Sequence, residues 1–258
     1  MLAIDIGNSR VKWALFEGEK IQRHNVFSYN KINFENALNS SELANLQHKV
    51  RVSCVAGEAI KSRLYLWLKA NKFTDIEFAV TLAQQCEVIN SYAEPAKMGV
   101  DRWLAMLAAK ALFNDSEPAS ICIIDCGTAI TLDILSQHGK HLGGLIFPGY
   151  QTMLTSLGLS TGNINSEEVS PLNASLNCGL GVSTREAVAK GCAQVISGGV
   201  NSIMNKQATQ SKEKYYCVLT GGDSEWLFGS LSMPVKVEPF LILKGLYLTS
   251  LNNSSRQD

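Results

Sequence analysis

Leu2-Ala3-Ile4-Asp5-Ile6-Gly7-Asn8-Ser9 is an apolar run that meets an acid and ends in Asp-x-Gly with small polar residues behind it. Ile121-Cys122-Ile123-Ile124-Asp125-Cys126-Gly127-Thr128-Ala129 repeats that pattern in the second half. Each run reads as a buried strand ending in a turn. Each is followed by a second strand, Val11 to Phe16 and Thr131 to Leu135, and then by a turn, Glu17 to Lys20 and Gln137 to Lys140. Strand–turn–strand–turn occurring twice predicts two similar α/β halves, residues 1–115 and 116–258. No linker rich in Pro, Gly or Ser separates them, so the halves are expected to pack across a cleft.

Outward from these runs, the pattern predicts a strand over Ile21 to Phe27, a helix over Asn36 to Leu46, a strand over Val50 to Val55 and a helix over Ala59 to Lys69. A short strand is expected over Ile76 to Val80, and a largely buried helix over Trp103 to Phe113. Gly143-Gly144-Leu145-Ile146-Phe147-Pro148-Gly149 reads as a strand ending in a turn and leading to a helix with Met153, Leu154 and Leu157. Gly181-Val182-Ser183-Thr184 opens another helix. Tyr216 to Leu219 is a strand that runs into Thr220-Gly221-Gly222-Asp223, with a helix from Ser224, and Leu241 to Leu251 is the last helix.

Composition narrows the function classes. Of 258 residues, 46% are hydrophobic and 18% charged, enough apolar material for a core. Lys plus Arg and Asp plus Glu are 23 each. That balance lacks the basic excess of a nucleic-acid binder, so no nucleic-acid partner is expected. Seven scattered cysteines without a C-x-x-C pair argue against a disulfide framework and fit a reducing cytoplasm. The N-terminus has no basic segment before its apolar run, and no stretch reaches about 18 apolar residues without a charge. Neither a signal peptide nor a membrane partner is expected.

The glycine turns carry the chemistry. A glycine right after an apolar strand lets backbone amides approach a phosphate closely. The carboxylate of Asp5 can hold a metal-bound water, and Lys12 on the next strand can reach the same phosphates; a hairpin turn with a solvated Asp and Lys is the plain alternative. The third turn at Gly221-Gly222 leaves space for a flat ring, or is a strand-to-helix turn capped by Asp223 or Ser224. None of the turns is a P-loop or a dinucleotide fingerprint. Asp101 is either the N-cap of the helix behind it or a general base. No histidine lies in these segments, and transfer to an alcohol needs an acceptor for the hydroxyl proton.

Together the three turns resemble the layout of the actin, Hsp70 and sugar-kinase ATPases. Asp5-Ile6-Gly7-Asn8-Ser9, Gly99-Val100-Asp101-Arg102, Asp125-Cys126-Gly127-Thr128-Ala129 and Gly143 to Gly149, in that order, resemble the motifs of type III pantothenate kinases over nearly the whole chain. Ser9 stands where that family commonly has Thr, and the Leu-Pro pair expected between Ser160 and Asn177 is missing. The resemblance implies two ribonuclease-H-like halves of an actin-like ATPase fold around a nucleotide cleft. It implies a cytoplasmic, homodimeric phosphotransferase with an alcohol acceptor, converting pantothenate and ATP to 4'-phosphopantothenate at the start of coenzyme A synthesis.

The same resemblance assigns residues. Asp101 would be the catalytic base. Asp5, Ile6, Gly7, Asn8, Ser9, Arg10, Val11, Lys12 and Thr128 would bind ATP. Tyr92, Gly99, Val100, Asp101, Arg102 and Thr184 would bind pantothenate. Asp125 would hold a monovalent cation, K⁺ or NH₄⁺, and Asp5 would hold the Mg²⁺ of ATP through water. Local alternatives stand beside these: a loop role for Tyr92, a surface ion pair for Arg102, an N-cap for Thr184, and a turn-capping carboxylate for Asp125. Two other functions fit the same pattern, a kinase of this superfamily for another small alcohol and a non-catalytic regulator, although a regulator would be expected to have lost Asp5, Lys12, Asp101 or Asp125.

Overall fold

The first apolar run forms β1 (Leu2–Ile6), and β2 (Arg10–Glu17) returns antiparallel beside it, followed by β3 (Lys20–Ser28). In the computed structural model, which describes residues 1–29, 33–39, 41–43, 49–113, 119–160, 179–211 and 215–254, these strands start the first of two units. That unit comprises Met1–Phe113 and Phe240–Asp258. After β3 come α1 (Phe34–Asn39), β4 (Val50–Cys54), α2 (Glu58–Ala70) and β5 (Ile76–Phe78). The sheet order is β3-β2-β1-β4-β5, with β4 and β5 parallel to β1. A small hairpin, β6 (Gln84–Gln85) and β7 (Val88–Ile89), and a 3₁₀ turn at Pro95–Lys97 lead into α3 (Val100–Leu112).

Alternation along the strands decides what each face does. Leu2, Ile4, Ile6, Val11, Trp13 and Val52 face one way and are buried with Phe34 and Leu38 of α1 and Leu64 and Leu68 of α2. Asp5 and Lys12 face the other way. The helix expected over 36–46 is shorter in the described residues, Phe34–Asn39, and 44–48 lie outside them.

The C-terminal helix α7 (Leu241–Ser254) belongs to this first unit and packs on α3 and β1. Reading along the chain places 240–258 with the C-terminal half, and the structure differs there. Gly245 explains the close packing: a Cβ on it would sit 2.9 Å from Leu104 Cβ and closer still to the Leu104 carbonyl of α3.

The second unit, Asn114–Pro239, repeats the sheet. It contains β8 (Ser120–Cys126), β9 (Ala129–Leu135), β10 (His141–Pro148), α4 (Tyr150–Ser160), α5 (Thr184–Ser211), β11 (Tyr215–Thr220), α6 (Ser224–Phe228) and β12 (Val235–Val237). Its order, β10-β9-β8-β11-β12, has the same two antiparallel and two parallel pairings as the first sheet. Cys122, Ile124 and Leu132 are buried with Tyr150, Leu154, Ile196 and Trp226. The internal repeat is therefore a repeat of sheet topology. Cys54, Cys86, Cys122, Cys126, Cys192 and Cys217 are free thiols, and Cys178 lies outside the described residues. No helix among the described residues is long and apolar enough to cross a membrane.

Candidate active site

In the first unit the β1–β2 connection is a tight turn closed by the Gly7 amide donating to the Arg10 carbonyl at 3.1 Å. Asp5 stands opposite Lys12 in register, so carboxylate and ammonium share one face of the sheet. Asp5 is buried, Lys12 is half-buried, and Asn8 and Arg10 are exposed. Ile6 and Val11 point into the core, so these two residues offer only backbone to a ligand. A Cβ on Gly7 would meet only the Arg10 carbonyl, at 3.7 Å. Packing within the chain does not demand glycine here.

The turn is anchored from β3. The Tyr29 hydroxyl donates to the Gly7 carbonyl at 2.6 Å, and Ser28 Oγ donates to the Ser9 carbonyl at 3.2 Å. Nothing in the spacing of the sequence points to Tyr29, because its reach depends on the register of a strand pair.

Gly99, not Asp101, occupies the N-cap position of α3. Asp101 lies in the first turn, and its Oδ1 accepts the Arg102 amide at 2.8 Å. A carboxylate there is favoured by the partial positive charge of the helix start. Thr81 Oγ1 donates to the Met98 carbonyl at 2.9 Å and fixes the entry to the helix. Arg102 is only 6% exposed, which removes the surface ion pair as its role. Its Nη1 donates to the Tyr92 hydroxyl at 2.9 Å, with the guanidinium 5.7 Å from the centre of that ring. Tyr92 and Arg102, ten positions apart in sequence, are thus one contact pair.

The second unit closes its own turn with one residue fewer. The Gly127 amide donates to the Ala129 carbonyl at 3.1 Å, and a Cβ on Gly127 would meet only that carbonyl, at 3.6 Å. Thr128 is exposed, while its carbonyl accepts the Gly149 amide at 2.9 Å and Thr152 Oγ1 at 2.6 Å. The end of β10 is therefore stapled onto the turn, and a Cβ on Gly149 would collide with the Gly127 and Thr128 carbonyls. The third glycine turn joins them. The Asp223 amide donates to the Cys126 carbonyl at 3.0 Å, and Asp125 is in register with Thr220. Gly221 has φ +97°, and a Cβ on it would fall 2.5 Å from Asp125 Oδ1. Asp223 sits at the N-cap of α6 but makes no side-chain cap bond there. Burial, then the nearby Asp125 and Asp223 carboxylates, push the Cys126 thiol far above its ordinary range.

The donors available near these turns are hard oxygens. Among the described residues, no group of three His, Cys, Asp or Glu side chains converges as a metal cage. Single carboxylates at Asp5 and Asp125 fit ions that keep water and substrate phosphates as their other ligands. Thr184 is exposed at the first helical position of α5. The cap is Ser183, whose Oγ accepts the Glu186 amide at 3.2 Å, while Glu186 Oε2 accepts the Val182 amide at 3.1 Å. The segment 161–177, where the Leu-Pro pair is missing, lies outside the described residues.

The sequence model of the type III pantothenate kinase family matches residues 1–206. The type III pantothenate kinase of Teredinibacter turnerae is 34% identical over 253 residues, covering 95% of this chain and 96% of its own. Among solved structures, the activator of 2-hydroxyisocaproyl-CoA dehydratase from Clostridium difficile, with bound ADPNP, aligns at TM-score 0.56 and 13% identity over 99% of this chain and 96% of its own. MreB5 of Spiroplasma citri bound to ADP aligns at TM-score 0.52 and 11% identity over 100% and 98%. The likeness to these structures is one of fold, the actin-like ATPase architecture of two mixed α/β halves.

Proposed function

The chain belongs to the type III pantothenate kinase family, and from that membership we infer that it transfers the γ-phosphoryl group of ATP to the terminal hydroxyl of pantothenate, the first step towards coenzyme A. The observation that carries this reading at the level of residues is the pair of matched Asp-x-Gly turns. Among the described residues a Cβ at either glycine would make only an ordinary contact with one carbonyl, so neither glycine is required by packing within its turn.

In the proposed mechanism Asp101 accepts the proton of the pantothenate hydroxyl as that oxygen bonds to the γ-phosphorus. The bond from the γ-phosphorus to the β–γ bridging oxygen breaks and ADP leaves. Lys12 and the amides of the Gly7 turn stabilise the charge on the transferred group. Arg102, held by Tyr92, pairs with the carboxylate of pantothenate, and Gly99, Val100 and Thr184 complete its site. Thr128 contacts ATP. Asp5, through water, would hold Mg²⁺ and Asp125 would hold K⁺ or NH₄⁺; when bound, these ions would supply positive charge beside the phosphates.

We also propose a cytoplasmic homodimer. Its support is exposed apolar area on the second unit: Leu145 on β10 is exposed, and separately a groove of about 380 Å³ between α4 and α5 is lined by Met153, Leu157, Val188 and Val195. Steady-state assays with ATP, Mg²⁺ and K⁺ against pantothenate, glucose and an N-acylhexosamine test the function. Pantothenate is expected to give the highest kcat/KM by at least about two orders of magnitude. A preferred sugar would overturn the reading.

A further inference from the structure

We propose that Tyr29 is a positioning residue for the phosphate turn: with Ser28 it ties back the Gly7 and Ser9 carbonyls and so aims the Asn8 and Arg10 amides at a bound polyphosphate. The inference rests on the reading of the Gly7 turn as the ATP phosphate site.

In a planar trans peptide a carbonyl and the following amide point in opposite directions. Fixing the Gly7 carbonyl therefore fixes the Asn8 N–H, and fixing the Ser9 carbonyl fixes the Arg10 N–H. The end of β3 holds both carbonyls. Tyr29 Oη donates to Gly7 at 2.6 Å, while the Tyr29 amide at 3.4 Å and Ser28 Oγ at 3.2 Å donate to Ser9. With their carbonyls turned toward β3, the two following amides are turned away from it. Without these ties, a two-residue turn flanked by glycine can flip its peptide planes and lose the orientation on which electrostatic stabilisation depends.

The tether is itself held. The Tyr29 ring meets Phe34 edge-on with centroids 5.2 Å apart, and the Arg63 guanidinium lies 5.4 Å from the centre of the Phe34 ring. Arg63 is locked by two hydrogen bonds to Glu35, one of them 2.7 Å from Nε. A line of contacts thus runs from α2 through α1 and Tyr29 to the turn. Burial raises the Tyr29 phenol above its ordinary pKa, so the hydroxyl remains a donor throughout the neutral range.

Tyr29→Phe removes the hydroxyl and keeps the ring. Steady-state kinetics of the full chain are expected to show KM for ATP raised about fivefold, with KM for pantothenate unchanged. The melting temperature is expected to fall by less than about 4 °C. Hydrogen exchange without nucleotide is expected to quicken in the peptide spanning residues 7–10 and to stay unchanged in α2. An unchanged KM for ATP, or equal loss in both KM values and kcat, would overturn the proposal. If Tyr29→Phe does not fold, Ser28→Ala carries the test, with about a twofold rise in KM for ATP expected and an unchanged value overturning it. A wild-type protein that does not turn over ATP at all would remove the kinase reading itself, a result distinct from these.

Discussion

Gly7 and Gly149 look alike in sequence, each a glycine at the end of an apolar strand, yet a methyl group would meet different surroundings at each. At Gly7 it would find only the Arg10 carbonyl at 3.7 Å, and at Gly149 it would strike two carbonyls of the opposite turn. Gly7→Ala should therefore fold with a melting temperature within about 2 °C of wild type. It should lose at least about tenfold in kcat/KM for ATP, because the methyl fills the approach to the amides. Gly149→Ala should lose several degrees of melting temperature, since forcing atoms into packed backbone costs about 1–3 kcal/mol. Melting curves and ATP kinetics on both variants check the contrast. Asp101 offers a second comparison. Gly99 already holds the cap position of α3, so Asp101→Asn should lose no more than about 1 kcal/mol of stability, the worth of its charge at the helix start. It should lose about 10²–10⁴ in kcat if the carboxylate is the base. More than about a tenth of wild-type kcat remaining would return Asp101 to a helix-start role.

Elements were legible to different degrees, for physical reasons. A strand buried on both faces reads as an unbroken apolar run, so β1 and β8 stand out, and their glycine ends mark the turns. The partner of α7 is hidden because nothing local distinguishes a helix that packs on α3 from one that closes its own half. The cap of α5 is Ser183, one position before Thr184, because either hydroxyl can cap and only the fold decides which one meets the Glu186 amide. Tyr29 and Thr152 reach their turns through long-range register, which no spacing encodes. Strand β8 also supports a pH prediction. Burial raises the Cys126 thiol in the fold, so the neutral form is favoured there. The stability this confers is complete below the unfolded value near 9.0 and is lost as the pH rises above it. Melting temperature measured from pH 7 to pH 10.5 should fall more steeply for wild type than for Cys126→Ala. Parallel curves would contradict the assignment.

At the scale of the whole molecule, two copies of one sheet topology carry different cargo on the same turn. The first turn has a lysine in register with its carboxylate, Lys12 opposite Asp5, and the second has a threonine there, Thr131 opposite Asp125. On the proposed reading the first turn would take phosphate and the Asp125 carboxylate of the second would hold a cation. Turnover is therefore expected to fall at least about tenfold when K⁺ is replaced by Na⁺ in wild type. Asp125→Asn should be equally slow in both buffers. Equal wild-type rates in Na⁺ and K⁺ would remove the cation from Asp125.

The most direct measurement follows phosphorus. The purified chain is incubated with ATP, Mg²⁺, K⁺ and pantothenate, and the mixture is observed by ³¹P NMR. One new phosphate monoester resonance should grow in step with ADP, one ester per ADP, and should be absent when pantothenate is left out. ADP and inorganic phosphate forming without the ester, or no ATP consumed by a folded protein, would contradict the account.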